Sequence, residues 1–277
     1  MRFVRTLLMA GAVLGMSSSA FAGPIILGGD DLNEHGSGAG GVNFLGWKYI
    51  ENAVGAILSQ VTLPGPYTVD IVELGHPTAD AALTSALAAI PGAQTTVGYS
   101  GAAGIDQFFA DLAAGTVAPR MIYIPGNDWG GASVDFQEGQ RLAAHAAAID
   151  AFLLAGGGLM SHGGANTTVY GYLQTLLPGI VLSTSCQNPV TLTAAGQNAF
   201  PAVTNADVNA GPCHGTFSGN LGGLQILAID AQQRAMIIGG VGGSITQPPP
   251  GAPEPASLLL FGAALAGFGV RRRMNRQ

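Results

Sequence analysis

Three short polar stretches of this 277-residue chain hold the side chains that could do chemistry. The first, G-G-D-D-L-N-E-H-G-S-G-A-G-G, carries Asp30, Asp31, Asn33, Glu34 and His35. The second runs from Pro125 to Gly131 and carries Asn127, Asp128 and Trp129. The third, Ser161-His162-Gly163-Gly164-Ala165-Asn166, places a hydroxyl beside an imidazole. Carboxylates and imidazoles at this density suit proton transfer, ligand binding or metal coordination. His162, Ser161 and Asp128 are the candidate catalytic set. Asp30, Asp31, Glu34, His35, Asn127 and Trp129 are the candidate ligand-binding set. Asp31, His35 and His162 are the candidate metal ligands, and a divalent cation, calcium for the carboxylates or zinc for the imidazoles, is the one cofactor they raise. The spacing fits no EF-hand loop and there is no H-E-x-x-H, so a solvated acidic loop that caps the first helix through local backbone bonds is the plainer expectation.

Nucleophilic catalysis would need Ser161 activated by His162 or His214. Adjacent side chains at a strand end usually point apart, and Leu159 stands where a G-x-S-x-G elbow has its first glycine. The glycine run after His35 lacks the lysine of a phosphate-binding loop. Trp47 sits at helical spacing with Ile50, Val54 and Ile57 and reads as core, whereas Trp129 in a mouth loop suits a sugar ring or a structural lid. His145 reads as a surface residue and His76, beside Pro77, as a turn residue. Cys186 and Cys213, the only cysteines, are expected to pair in an exported chain.

Positioning these loops requires strands that end at them. Apolar β-branched runs at 24–28, 68–74, 95–99, 120–124, 158–161, 224–229 and 235–238 alternate with amphipathic segments at 46–60, 78–90, 104–114, 136–155 and 168–177, a pattern of βαβ units around a mainly parallel sheet. In such sheets ligands bind beyond the carboxyl ends of the strands, so the three polar loops should converge on one face. From about 181 to 223 Pro189, Pro201 and Pro212 break the pattern, which predicts an excursion from the sheet. No repeat of 20 to 50 residues marks a solenoid.

An opening strand followed by D-D-x-x-E-H, a strand ending in P-G-N-D-W, a long helix and then G-G-G-L-M-S-H-G-G resemble the class I glutamine amidotransferase-like superfamily, especially its ThuA-like relatives, over roughly residues 24–240. The resemblance implies a flavodoxin-like α/β fold with helices on both faces of the sheet. It also implies a cysteine nucleophile at a sharp strand-to-helix turn, and here Ser161 is the nearest match, which places glutaminase chemistry in doubt.

The ends read as addresses. Arg2 and Arg5 precede the apolar run 7–16 and the small residues Ala20 and Ala22, the pattern of a signal peptide over 1–22 that signal peptidase would remove. An α/β domain over 23–246 leads to a proline-rich linker over 247–255 and a membrane helix with a basic tail over 256–277. Pro253-Glu254-Pro255, the apolar stretch 256–270 and Arg271-Arg272-Arg273 resemble the PEP-CTERM sorting signal of Gram-negative bacteria. That resemblance implies an exosortase-type processing enzyme, transient residence in the inner membrane and delivery to the surface or to an extracellular polysaccharide matrix. Six of the ten basic residues lie at these ends, and between Gly23 and Ala252 four basic residues face fifteen acidic ones, which excludes a nucleic-acid partner. The whole predicts an exported matrix component with a binding or structural role, the alternative being a hydrolase or lyase on an exported glycan.

Overall fold

The computed structural model describes residues 23–37, 43–126, 134–163 and 167–240. Its frame is a sheet of five parallel strands: β1 (Ile25–Gly28), β2 (Val69–Leu74), β3 (Thr96–Tyr99), β4 (Pro119–Ile124) and β5 (Gly158–His162), in spatial order 3-2-4-5-1. Strands β2 to β5 follow the doubly wound pattern. The edge position beside β5, which a flavodoxin-like 2-1-3-4-5 order gives to its last strand, is filled by the N-terminal strand β1.

Strict alternation in these strands builds two cores, because successive side chains leave a strand on opposite faces. Ile25, Leu27, Val72, Leu74, Ile122, Ile124 and Leu159 join one cluster. Ile26, Ile71, Met121, Tyr123 and Met160 join the other. The first face is covered by α4 (Gly101–Ala114), α5 (Phe136–Ala144), α6 (Ala146–Leu154) and the 3₁₀ turn Thr167–Tyr172 with α7 (Leu173–Leu176). The second is covered by α2 (Gly46–Gln60) and α3 (Ala81–Ala89). Helices thus lie on both faces, as an α/β sheet requires.

The expected single helix over 136–155 is broken at His145, whose backbone leaves helical geometry at φ −99°, ψ 13°. Its side chain explains the break and corrects the reading of a plain surface residue. The ring stacks on Phe109 at 4.3 Å, and Nε2 lies 2.8 Å from Asp106 Oδ1, an oxygen that Arg141 also engages. His145 therefore ties α5 and α6 to α4.

The excursion expected over 181–223 is also corrected, since three of its segments return to the sheet. Strand β6 (Ile180–Ser183), β7 (Thr191–Leu192), β8 (Thr216–Gly219), β9 (Gln225–Ile229) and β10 (Ala235–Gly239) form an antiparallel wing. Strand β10 joins it to the parallel frame by pairing antiparallel with β1. Prolines flank these strands rather than interrupt them, and the strands are too short for a local pattern to announce. The short helices α8 (Ala194–Ala199) and α9 (Asn205–Val208) complete the wing, and Cys186 and Cys213 are disulfide-bonded across it with Cα atoms 5.4 Å apart.

Candidate functional site

Strand β1 ends in Gly28-Gly29, and both positions need the absence of a side chain. A Cβ on Gly28 would lie 1.9 Å from Asp30 Oδ2, and one on Gly29 would lie 1.9 Å from the Gly215 carbonyl oxygen. The glycines therefore let the Asp30 carboxylate fold back over the strand end and let the β8 approach loop press against it. The chain then turns into α1 (Leu32–His35).

Asp30 meets His162 across 132 residues of sequence. His162 closes β5, beside Gly28 in the parallel register, and its Nδ1 lies 2.6 Å from Asp30 Oδ1. The same oxygen accepts the Leu32 N–H at 3.1 Å. Both residues are 0% exposed. The other ring nitrogen, Nε2, has no hydrogen-bond partner among the described residues. Tyr49 and Tyr123 meet the imidazole edge-on, with centroids at 6.2 and 5.6 Å.

The expected solvated acidic loop is thus corrected: Asp30 is fully buried and Asp31 is 5% exposed. Asp31 stands at the N-cap of α1 without capping it through its side chain. Its Oδ2 instead lies 2.6 Å from His214 Nε2 and 3.2 Å from His35 Nε2. The hydrogen bond to Asp31 lifts the His214 pKa above that of a free imidazole, against an opposing effect of burial.

A second buried polar group lies on the same face one and two strands away. Glu73, in register with Tyr123 across the β2–β4 pair, accepts the Asp80 N–H through Oε2 at 2.9 Å. Burial, then the neighbouring Asp80 carboxylate, pushes the Glu73 carboxyl up to about 9, so it is protonated at neutral pH. Burial likewise raises the phenols of Tyr49 and Tyr123, with Asp30 adding to both. Under α2 and α3, Glu73, Tyr49 and Tyr123 therefore keep their protons beside the Asp30–His162 pair.

Ser161 and His162 part company as neighbours in a strand must. Ser161 follows Leu159 to one face and His162 follows Met160 to the other. Ser161 is 1% exposed, and its Oγ has no partner among the described residues. The Tyr170 hydroxyl sits between the carbonyl oxygens of Gly28 and Ser161, at 2.6 and 2.8 Å, and holds the ends of β1 and β5 together. His162 also stands apart from the other two expected metal ligands, because the side chains that gather there are Asp31, Glu34 and His35, with ligand atoms within 4.8 Å of one another.

Asn127, Asp128 and Trp129 lie outside the described residues, as do Pro253, Glu254 and Pro255. Trp47 is half-buried rather than fully core, and its indole N–H donates to the Asn33 carbonyl at 3.0 Å, which pins α1 to α2. Composition of the polar loops did not disclose Tyr49, Tyr123, Glu73 and Asp80. The available signal was an acidic residue inside V-D-I-V-E-L at a position whose neighbours two residues away are buried.

Among family models, the PEP-CTERM protein-sorting motif matches residues 252–273. No curated protein and no solved structure matches the chain. Among the described residues no helix is long and apolar enough to cross a membrane, and the apolar stretch 256–270 lies outside them. The chain carries the signal of an exported, membrane-anchored precursor that exosortase-type machinery processes for the cell surface.

Proposed function

We propose that this chain is exported through the signal peptide over 1–22 and, once sorted, serves as a binding or structural component of the extracellular polysaccharide matrix. Its scaffold on this reading is an amidotransferase-like domain that has lost the superfamily's nucleophile. The observation that carries a binding role is the closure of the site: His162, the strongest candidate for proton transfer, is sealed between Tyr49, Tyr123 and Asp30. Among the described residues no nucleophile faces its free nitrogen, and Ser161 lies on the opposite face. Both cysteines are consumed by the disulfide, which removes a thiolate mechanism. A low charge content, 9% of residues, suits a surface that meets neutral or weakly charged polymer.

Affinity electrophoresis of the full chain, run through gels cast with the host cell's own exopolysaccharide, tests this reading. Retardation that rises with polysaccharide concentration supports it. Migration identical to that in a plain gel overturns it.

A second reading, a hydrolase or lyase on an exported glycan, draws on His162 Nε2, which has no partner among the described residues. His162→Asn, which can still hydrogen-bond Asp30, separates the two. Retardation persists in the variant if the domain binds, whereas release of oligosaccharides by the native chain, lost in the variant, would establish the enzyme.

A further inference from the structure

Asp31 is the meeting point of two histidines that sequence separation keeps far apart. His35 lies one helical turn beyond it on α1, and His214 arrives from the antiparallel wing, 183 residues along the chain. The approach of His214 is held by the backbone: the N–H groups of His214 and Gly215 both donate to the Gly29 carbonyl, at 2.9 and 2.8 Å. Asp30 and Cys213 form an isolated β-bridge, and Cys213 is tied by its disulfide to Cys186. The same loop lies flush on His35, since a Cβ on Gly211 would sit 2.6 Å from the His35 Cβ. Trp47 fixes the other side by its bond to Asn33. The three side chains are therefore positioned by the fold itself.

Two oxygens in this cluster are left over. Among the described residues Asp31 Oδ1 and Glu34 Oε1 are buried without a hydrogen-bond partner, and Asp31 as a whole is 5% exposed. A hydrogen-bonded His–Asp–His bridge explains Oδ2 and leaves these two oxygens unsatisfied, which burial makes unfavourable. A cation held by both oxygens of the Asp31 carboxylate and by Glu34 Oε1 satisfies them. We propose that Asp31, Glu34 and His35, whose ligand atoms lie within 4.8 Å of one another, form a site for a zinc-type transition-metal ion, with His214, hydrogen-bonded to the same Asp31 carboxylate, as the fourth donor.

The donor set selects the class of metal. Two imidazoles and a carboxylate suit zinc and its first-row neighbours, whereas calcium takes six to eight oxygens. Ligand atoms that share a tetrahedral zinc at roughly 2.0–2.2 Å are about 3.3 Å apart. The 3.2 Å between His35 Nε2 and Asp31 Oδ2 already matches this spacing. The 2.6 Å between His214 Nε2 and Asp31 Oδ2 is a hydrogen-bond length and opens by a fraction of an ångström as the metal replaces the shared proton. This site is separate from the Asp30–His162 pair and does not depend on the polysaccharide reading.

The test uses the full chain, purified in detergent without a polyhistidine tag, stripped with chelator and titrated with zinc against a competing chelating dye. The expected result is one zinc per chain, retained in a thousandfold excess of calcium, with an absorption edge that reports two nitrogen ligands at about 2.0 Å. His35→Ala and His214→Ala should each weaken binding at least tenfold, while His76→Ala leaves it unchanged. The His35 side chain is 42% exposed, so its variant folds and decides the matter even where His214→Ala does not. Absence of stoichiometric zinc, or equal affinity in the His35→Ala chain, overturns the site and leaves Asp31 as a hydrogen-bond bridge.

Discussion

Burial decides what the acidic residues of this site do. Glu73 sits inside a strand with an oxygen that accepts a backbone N–H, and its carboxyl titrates near 9 in the folded chain, far above an exposed glutamate. The folded state thus holds a proton that the unfolded state loses above its own pKa, so the stability Glu73 contributes is fully present below about pH 4.5 and is lost as pH rises toward 9. Glu73→Gln removes that proton exchange. The variant should show a flatter dependence of stability on pH between 5 and 9 and melt several degrees higher than the native chain at pH 8, measured by circular dichroism across buffers. An unchanged slope would mean that Glu73 ionises freely in the fold. Asp30 accepts from two groups, the His162 ring and the Leu32 N–H. Asp30→Ala strands the His162 Nδ1 and the Leu32 N–H in a dry interior and should cost about 3–5 kcal/mol, read from urea denaturation midpoints. The polar loops were legible because D-D-x-x-E-H and S-H-G-G break apolar runs. Their partners were not, because whether Asp31 meets His162 or His214 depends on strand order and on a return of the chain from residue 213, which no local pattern encodes.

At the scale of elements, the legible part is the part that local periodicity writes. The α2 limits match the apolar spacing of Tyr49, Ile50, Val54 and Ile57, and each of the seven expected strands lies within one or two residues of an observed one. Strands β6, β7 and β8 escaped because they are two to four residues long and draw their partners from distant chain. Such a wing has little local propensity to hold it, which gives the disulfide its weight. Closing the loop between Cys186 and Cys213, separated by 27 residues, should contribute about 3.5 kcal/mol on the chain-entropy model. The double variant Cys186→Ser/Cys213→Ser should lose about that much in chemical denaturation. Hydrogen exchange should rise first in β6 and β8, which lie at one end of the sheet next to the disulfide, while the amides of β2, β4 and β5, paired along both edges, stay protected. Uniform loss of protection would show instead that wing and frame unfold as one unit.

The whole molecule separates address from domain. Six of its ten basic residues cluster at the two ends, and the body between them is acidic. These ends were readable without any fold, since a sorting signal is recognised as a linear order: a proline-glutamate-proline motif, an apolar stretch and a basic tail. The domain, in contrast, needed the structure before its polar residues could be paired. If the match over 252–273 directs sorting, the two functions are separable by truncation. A chain ending at residue 251 should lose surface attachment and accumulate in the soluble exported fraction. The same chain should keep the melting midpoint of the processed native protein within about 1 °C, because every described strand and helix ends by Gly239. Glu254→Ala within the motif should instead leave an uncleaved, membrane-associated precursor. Fractionation followed by immunoblotting reads both results at once. Surface display of the truncated chain at native levels would mean that the domain itself, and not the terminal motif, carries the address.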